Sequence, residues 1–242
     1  MPISRSVGRT AQNDLTDVLL VQILFNLNRH RFPDPKPQQL KTDGRIGPGT
    51  IGAIEQFETT VMGLSESDGM LAPGDATIRA LLAGLPPGPT KEKLGVVMPR
   101  ALPEKIDLLY DPLARAMNKY GINTGLRAAH FIAQVGHETA SFLYMEEIAS
   151  GAAYEGRTDL GNTQPGDGKL FKGRGLIQLT GRTNYTAYSK DCGVDYVKNP
   201  TAVCTDPFVC VDVAGWYWNR RKINDLADKD DVKAVTKAVN RR

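Results

Sequence analysis

The chain has 242 residues, 41% hydrophobic and 24% charged, which is enough for two domains whose cores need neither disulfides nor a structural metal. This composition excludes a wholly disordered or collagen-like chain, and no apolar run reaches the roughly 18 to 20 residues of a membrane helix, so no stable membrane insertion is expected. The net charge is only +3 and the longest cationic run is Arg220-Arg221-Lys222, which disfavours nucleic acid as a partner. The opening Met1-Pro2-Ile3-Ser4-Arg5-Ser6 lacks the apolar core of a secretory signal, so synthesis in the cytoplasm is expected.

Asn13 to Leu27 begins with capping-type residues and turns apolar at helical spacing, which predicts a helix. After a Pro-rich loop at Phe32 to Pro37, Asp43-Gly44-Arg45-Ile46-Gly47-Pro48-Gly49-Thr50 reads as a DG turn with Thr50 capping a second apolar helix that runs to Phe57. The pattern recurs at Asp68-Gly69, with Thr77-Ile78 opening a third helix after an inserted Asp75-Ala76, so the segment is expected to be a small helical module with internal pseudo-symmetry. Gly84-Leu85-Pro86-Pro87-Gly88-Pro89-Thr90 can continue neither a helix nor a central strand. The boundaries expected are a first domain over 1–84, a linker over 85–100 and a second domain over 101–242. Val21-Gln22-Ile23-Leu24 and the Asp43 to Thr50 turn resemble the peptidoglycan-binding domain of bacterial and phage wall hydrolases, with Phe57-Glu58 in place of that family's Phe-Gln.

The second domain reads as mostly helical. Asp107 to Met117 is amphipathic, whereas Arg127 to Phe142 is small and apolar nearly all round, the mark of a buried helix. Its main polar interruptions are His130, Gln134, His137 and Glu138. An acid at the end of a buried helix either pairs with a cation or keeps its proton, and the second state suits a glycosidase general acid. Two Gly- and Asx-rich blocks follow, Tyr154 to Thr163 and Phe171 to Tyr185. They predict tight turns beside a ligand, and their Gln, Thr, Asn and Tyr supply uncharged donors and acceptors suited to a sugar polymer.

No metal or other cofactor is expected. His130 and His137 stand about 10.5 Å apart along a helix axis, too far to share an ion, and Cys192, Cys204 and Cys210 lack a zinc spacing. They are expected to be reduced, inert thiols. No glycine loop opens in Gly-Lys-Ser/Thr, so a phosphate-binding loop is not expected. Trp216 and Trp218 read as core.

His137-Glu138-Thr139, Tyr154-Glu155-Gly156-Arg157-Thr158-Asp159-Leu160-Gly161-Asn162 and Gly173-Arg174-Gly175-Leu176-Ile177-Gln178-Leu179-Thr180 resemble glycoside hydrolase family 19, in particular its phage endolysin branch, whose better-known relatives are chitinases. The resemblance implies a mainly α fold. A small three-helix-type wall-binding module would be joined to a larger helical, lysozyme-like or chitinase-like domain with a short loop or β-hairpin region at its cleft. It implies Glu138 as general acid, Glu147 as general base and Thr180 as a holder of the attacking water. Gln178 and Asn184 would line sugar subsites, with His137, Tyr154 and Asn240 as further substrate contacts. Glu155 stands as an alternative base, Glu146 reads as a solvated charge and Tyr185 as packing.

An unbroken helix would carry Glu147 about 13.5 Å beyond Glu138, whereas inversion with direct water attack needs carboxyls about 6.5–9.5 Å apart. The helix is therefore expected to end near Ser141 to Tyr144, with Glu147 on a returning loop. The sequence departs from the family after Asn240, ending at Arg241-Arg242 without the family's Gly-Gly, so either one wall of the cleft is incomplete or the tail is built differently. The function implied is that of an endolysin cutting the β-1,4 bond between N-acetylmuramic acid and N-acetylglucosamine, without a cofactor. It would act as a monomer and reach the periplasm and cell wall from the host cytoplasm through a holin or similar permeabilising partner. A chitinase and a catalytically impaired wall-binding protein are the alternatives.

Overall fold

Two apolar patterns, interrupted by the Pro- and Gly-rich stretch near residue 86, give two separate cores. The structure, a computed structural model, describes residues 3–85, 88–98 and 100–240 and divides into units Met1–Pro87 and Gly88–Arg242.

The first unit runs β1 (Val7–Gly8), α1 (Leu15–Asn28), α2 (Pro48–Gln56), β2 (Met70–Leu71) and α3 (Ala76–Ala83). One face of α1 buries Val18, Val21, Leu24 and Phe25. These pack with Ile54, Phe57, Leu71, Ile78 and Leu81 into one cluster. The strands pair antiparallel, Val7 opposite Leu71 and Gly8 opposite Met70. A Cβ on Gly8 would lie 2.1 Å from the Gly69 carbonyl oxygen, so only glycine admits this pairing.

The repeated turn-and-helix is present, but its threonines are not caps. Gly47 precedes α2, and the Asp75 carboxylate caps α3 by accepting from the Ile78 amide. Thr50 and Thr77 are instead buried inside the first turns, and each meets a buried polar side chain from the preceding segment. Gln22 donates to the Thr50 hydroxyl (3.3 Å) and the Arg45 carbonyl (3.0 Å), and accepts from the Asp43 and Gly44 amides (3.1 and 3.0 Å). In the second repeat Glu58 takes this place, accepting from the Thr77 hydroxyl at 2.7 Å and from Ser67. The Glu at position 58 is therefore the partner of a threonine and a serine hydroxyl.

The second unit contains α4 (Lys91–Val97), α5 (Pro103–Lys119), α6 (Gly125–Glu138), α7 (Asp167–Leu170), α8 (Arg182–Cys192), α9 (Ala202–Thr205), α10 (Pro207–Arg220), α11 (Ile223–Ala227) and α12 (Val232–Val239). The expected linker over 85–100 is shortened from both sides. Leu85 packs on the first core, while α4 is helical and its Leu94 belongs to the second core; Pro86, Pro87 and Pro99 lie outside the described residues.

Helix α10 packs along α5 and places Trp218 in the centre, edge-on to Phe131 at 5.3 Å between ring centroids. Trp216 and Trp218 are both buried. Their indole N–H groups donate to Asp191 and Asn224 (2.9 Å each). The Cys210 thiol is buried, which pushes its pKa up to about 12, and all three cysteines are free.

Helix α6 departs from the expectation of burial all round. His130, Phe131, Gln134 and Val135 face the core, while Leu126, Ala129, Ala133 and His137 are exposed. The small side chains on that outer face floor an apolar groove of about 870 Å³ closed on its other side by α4.

Candidate active site

Helix α6 is capped by Thr124, whose hydroxyl accepts from the Arg127 amide. It stops at Glu138, earlier than the Ser141 to Tyr144 expected, because Thr139 redirects the chain. Thr139 is fully buried. Its hydroxyl donates to the Val135 carbonyl (2.6 Å) and accepts from the Phe142 amide (2.9 Å). Its own carbonyl accepts from the Leu143 and Tyr144 amides. Between these bonds Ala140, Ser141 and Phe142 all take left-handed conformations, with φ of 50°, 66° and 63°. Each such L-residue costs about 1–2 kcal/mol, so the tight reversal after Glu138 is held by the Thr139 bonds and by burial of Phe142.

The reversal leaves Glu138 half-buried at the helix end and returns Glu147 on a loop. That loop pairs with the Gly-Arg-Gly block. The Glu147 amide donates to the Gly173 carbonyl (2.9 Å) and the Gly175 amide to Met145 (2.8 Å). Single β-bridges join Glu146 to Arg174 and Arg174 to Leu179. The β-hairpin region expected at the cleft is thus present only as these bridges.

The Glu147 carboxylate accepts from the Tyr154 hydroxyl at 2.9 Å and from the Gly173 amide at 3.1 Å. The position a Cβ would take on Gly173 lies 3.3 Å from a Glu147 oxygen, 3.3 Å from the Thr180 hydroxyl and 2.9 Å from the Gln178 amide oxygen. A carboxylate, a hydroxyl and an amide therefore converge over a glycine that leaves the space open. Thr180 donates its proton to the Gln178 carbonyl at 2.9 Å, which orients its oxygen as an acceptor. Gln178 is a non-glycine residue in the left-handed region (φ 53°), a strain that clusters at functional sites, and its amide donates to the Tyr144 and Gly175 carbonyls.

Other expected site residues are placed differently. Glu155 spends one oxygen on the Gly166 amide (2.6 Å) and the other on the Gly168 amide (2.8 Å). It clamps a loop, and this use of both oxygens argues against it as base. Glu146 is not a solvated charge: it pairs with Arg174 at 2.9 Å and Lys172 at 3.4 Å.

Asn184 donates its side-chain amide to the Thr180 carbonyl at 2.8 Å, one turn before its own position. His137 faces outward and lines the α4–α6 groove. Asn240 follows α12, and contacts with α6 progress from Asp230–His130 just before that helix to Thr236–Gln134 within it. The two helices therefore run in the same direction, and Asn240 lies toward the Glu138 end; Arg241 and Arg242 lie outside the described residues. Tyr185 is fully buried packing.

Sequence reasoning missed the roles of Gly173, Arg174, Thr139 and Asn162. Buried Asn162 links Tyr154 to Arg182, donating to the Tyr154 carbonyl (2.9 Å) and accepting from the Arg182 amide (2.9 Å). The signal available for it was its place in the Tyr154 to Asn162 block.

Residues 122–235 match the family model of glycoside hydrolase family 19, described as chitinase class I. A glycosyl hydrolase family 19 domain-containing protein of Haemophilus influenzae is 27% identical over 176 residues, 60% of this chain and 86% of that protein. An Arabidopsis thaliana endochitinase is 41% identical over 92 residues, 38% of this chain; the chain spans only 32% of that enzyme's length. Chitinase C from Streptomyces griseus superposes with a TM-score of 0.53 at 25% identity, covering 62% of this chain and 78% of that one. The class IV chitinase of Zea mays, at 24% identity and a TM-score of 0.51 over 62% of this chain and 79% of its own, shares the fold. The second unit is thus similar to glycoside hydrolase family 19 over residues 122–235 and shares the helical fold of its chitinases.

Proposed function

We propose that this chain, with its family 19 chitinase-like second unit, hydrolyses β-1,4 bonds of bacterial peptidoglycan as an endolysin. Glu138 protonates the leaving-group oxygen. Glu147 takes a proton from water, and Thr180 accepts a hydrogen bond that orients the same water, so that attack on the opposite sugar face inverts the anomeric centre. The observation that carries this reading is the convergence of Glu147, Thr180 and Gln178 over Gly173. Tyr154 fixes the Glu147 carboxylate, and the uncharged amides of Gln178 and Asn184 suit N-acetylated sugars.

Peptidoglycan is favoured over chitin by the first unit, whose paired turn-and-helix repeats resemble a wall-binding module. Docking there raises the local concentration of the glycan at the second unit. In this reading the protein acts as a monomer at the end of a phage infection, and a membrane-permeabilising partner such as a holin gives it access to the wall. A chitinase is the second reading, favoured by the plant endochitinases and chitinase C that the second unit resembles.

The test incubates the full chain and its Glu138→Gln variant with purified peptidoglycan and with N-acetylglucosamine hexamer, and reads the products by mass spectrometry. New reducing ends from peptidoglycan with wild type alone support the proposal. Cleavage of the hexamer alone favours the chitinase, and equal cleavage by both proteins sinks the assignment of Glu138.

A further inference from the structure

We propose that Glu146, Arg174 and Lys172 form a clamp that positions Glu147, an inference resting on the reading of Glu147 as the general base. Neighbouring residues of an extended segment point to opposite sides, and the two glutamates do so. Glu147 faces Tyr154 and the Gly173 amide, while Glu146 reaches back to the Arg174 guanidinium at 2.9 Å. Arg174 is anchored in turn: its side chain is only 5% exposed, and it donates to the Leu170 carbonyl at 2.7 Å and the Tyr185 hydroxyl at 3.3 Å. Lys172 closes the clamp, with its ammonium 3.0 Å from the Glu147 carbonyl oxygen and 3.4 Å from the Glu146 carboxylate.

The loop needs such a clamp. Beyond the buried Phe142, the side chains of Leu143, Tyr144 and Ile148 are exposed and Met145 is a partly buried contact with the core. Ladder bonds at Met145 and Glu147 set the register of the loop against the Gly173 strand. Tyr154 and the Gly173 amide orient the Glu147 carboxylate, and the charged tether on the adjacent residue holds the backbone from which it extends. The pair joins a buried guanidinium to a carboxylate whose side chain is 41% exposed, so solvent screens it and its net contribution to stability is small. What the pair contributes is placement of the base.

Positioning and stability are separable by a double variant. Glu146→Gln alone removes the countercharge of a buried guanidinium that keeps only the neutral Leu170 and Tyr185 acceptors, and is expected to lower both Tm and kcat. Removing both partners relieves the uncompensated charge, so Glu146→Gln/Arg174→Met is expected to recover most of the Tm, less the bond to the Leu170 carbonyl. Its kcat should stay roughly 10- to 100-fold down, the scale on which about an ångström of misplacement acts, with KM near wild type. Lys172→Met, which leaves the Glu146–Arg174 pair intact, is expected to lower kcat about threefold at unchanged Tm.

Rates are read with the full chain on solubilised peptidoglycan and on N-acetylglucosamine hexamer in parallel. Wild-type kcat in a folded double variant overturns the proposal; should that variant not fold, wild-type kcat in Lys172→Met does so. Glu147→Gln run alongside separates the two levels. An active Glu147→Gln removes the base assignment and the clamp with it, whereas an inactive Glu147→Gln beside a fully active double variant removes the clamp alone.

Discussion

Gln22 in the first unit and Glu147 in the second do the same structural work with opposite consequences. Each bonds the backbone of a glycine-containing segment: Gln22 holds the Asp43-Gly44 turn and Glu147 holds Gly173. Gln22 is 2% exposed and uses both ends of its amide on protein partners, so its turn is closed. Glu147 is half-buried, and beside it stand the Thr180 hydroxyl and the Gln178 amide over a residue with no side chain. Backbone strain follows the same division. Ala140, Ser141, Phe142 and Gln178 hold left-handed conformations around the candidate site, whereas the first unit has only Asn13 in that region among its described non-glycine residues. Strain of this kind persists where the surroundings over-determine it, and here it shapes the turn after Glu138 and the turn before Thr180.

The largest expected effect breaks the comparison outright. Glu138→Gln and Glu147→Gln should each lower kcat by about 10²–10⁴-fold, the usual contribution of a positioned acid or base, with Tm unchanged. Gln22→Ala should do the reverse. It should cost the first unit about 1–3 kcal/mol, the penalty for leaving buried amides unsatisfied, and spare kcat on a soluble oligomer. Steady-state kinetics and denaturation curves on the same three variants decide it; a catalytic loss in Gln22→Ala equal to that in Glu147→Gln would collapse the distinction.

A smaller effect is expected of Gly173→Ala. The added methyl would stand 2.9 Å from the Gln178 oxygen and 3.3 Å from Glu147 and Thr180, so these groups must part. A kcat loss of roughly 10- to 100-fold is expected, without the KM rise that a blocked distal subsite would give. Wild-type kinetics in Gly173→Ala would mean that the converging groups do not handle the water.

Gly173 also marks the limit of what was legible in the sequence. The helical character, the duplicated turns, Trp216 and Trp218 in the core, and Glu138 at a helix end all follow from local periodicity and residue type. The mistaken Thr50 cap and the unforeseen helix within 85–100 share one cause. Local propensity names a capping residue or a breaker, while contacts distant in sequence decide its use: Gln22 to Thr50, Glu58 to Thr77, and Leu94 to the second core. The same holds for Glu146 and Glu155. Both are acids in polar loops, and only the fold brings Arg174 to one and the Gly166 and Gly168 amides to the other. Glu155→Ala is accordingly expected to destabilise the second unit by about 1–3 kcal/mol and to lower kcat far less than Glu147→Gln. A loss as deep as that of Glu147→Gln at unchanged Tm would restore Glu155 as the base.

The smallest expected effect is a pH dependence that both units share and that one substitution separates. In the second unit the Arg182 guanidinium, bonding Asp167 through two nitrogens, holds that carboxyl below its ordinary value against the opposing effect of burial, with the Gln164 amide assisting. In the first unit burial acts to raise Asp17, but bonds from the Ser4 amide and hydroxyl and the Arg5 amide outweigh it and lower the carboxyl as well. A carboxyl depressed in the folded state contributes stability that is complete above its unfolded pKa, near 3.9, and is lost as pH falls through the folded value. Both units should therefore weaken on acidification below about pH 4. Both tryptophans lie in the second unit, so indole fluorescence follows that unit alone. Arg182→Gln should lower its stability at pH 7 and flatten its acid limb, because the fall in Asp167 depends first on that arginine. The first unit, followed by far-UV circular dichroism after the fluorescence change is subtracted, should keep its acid limb. Parallel acid limbs in wild type and Arg182→Gln would show that the Asp167 pair does not set the acid response of the second unit.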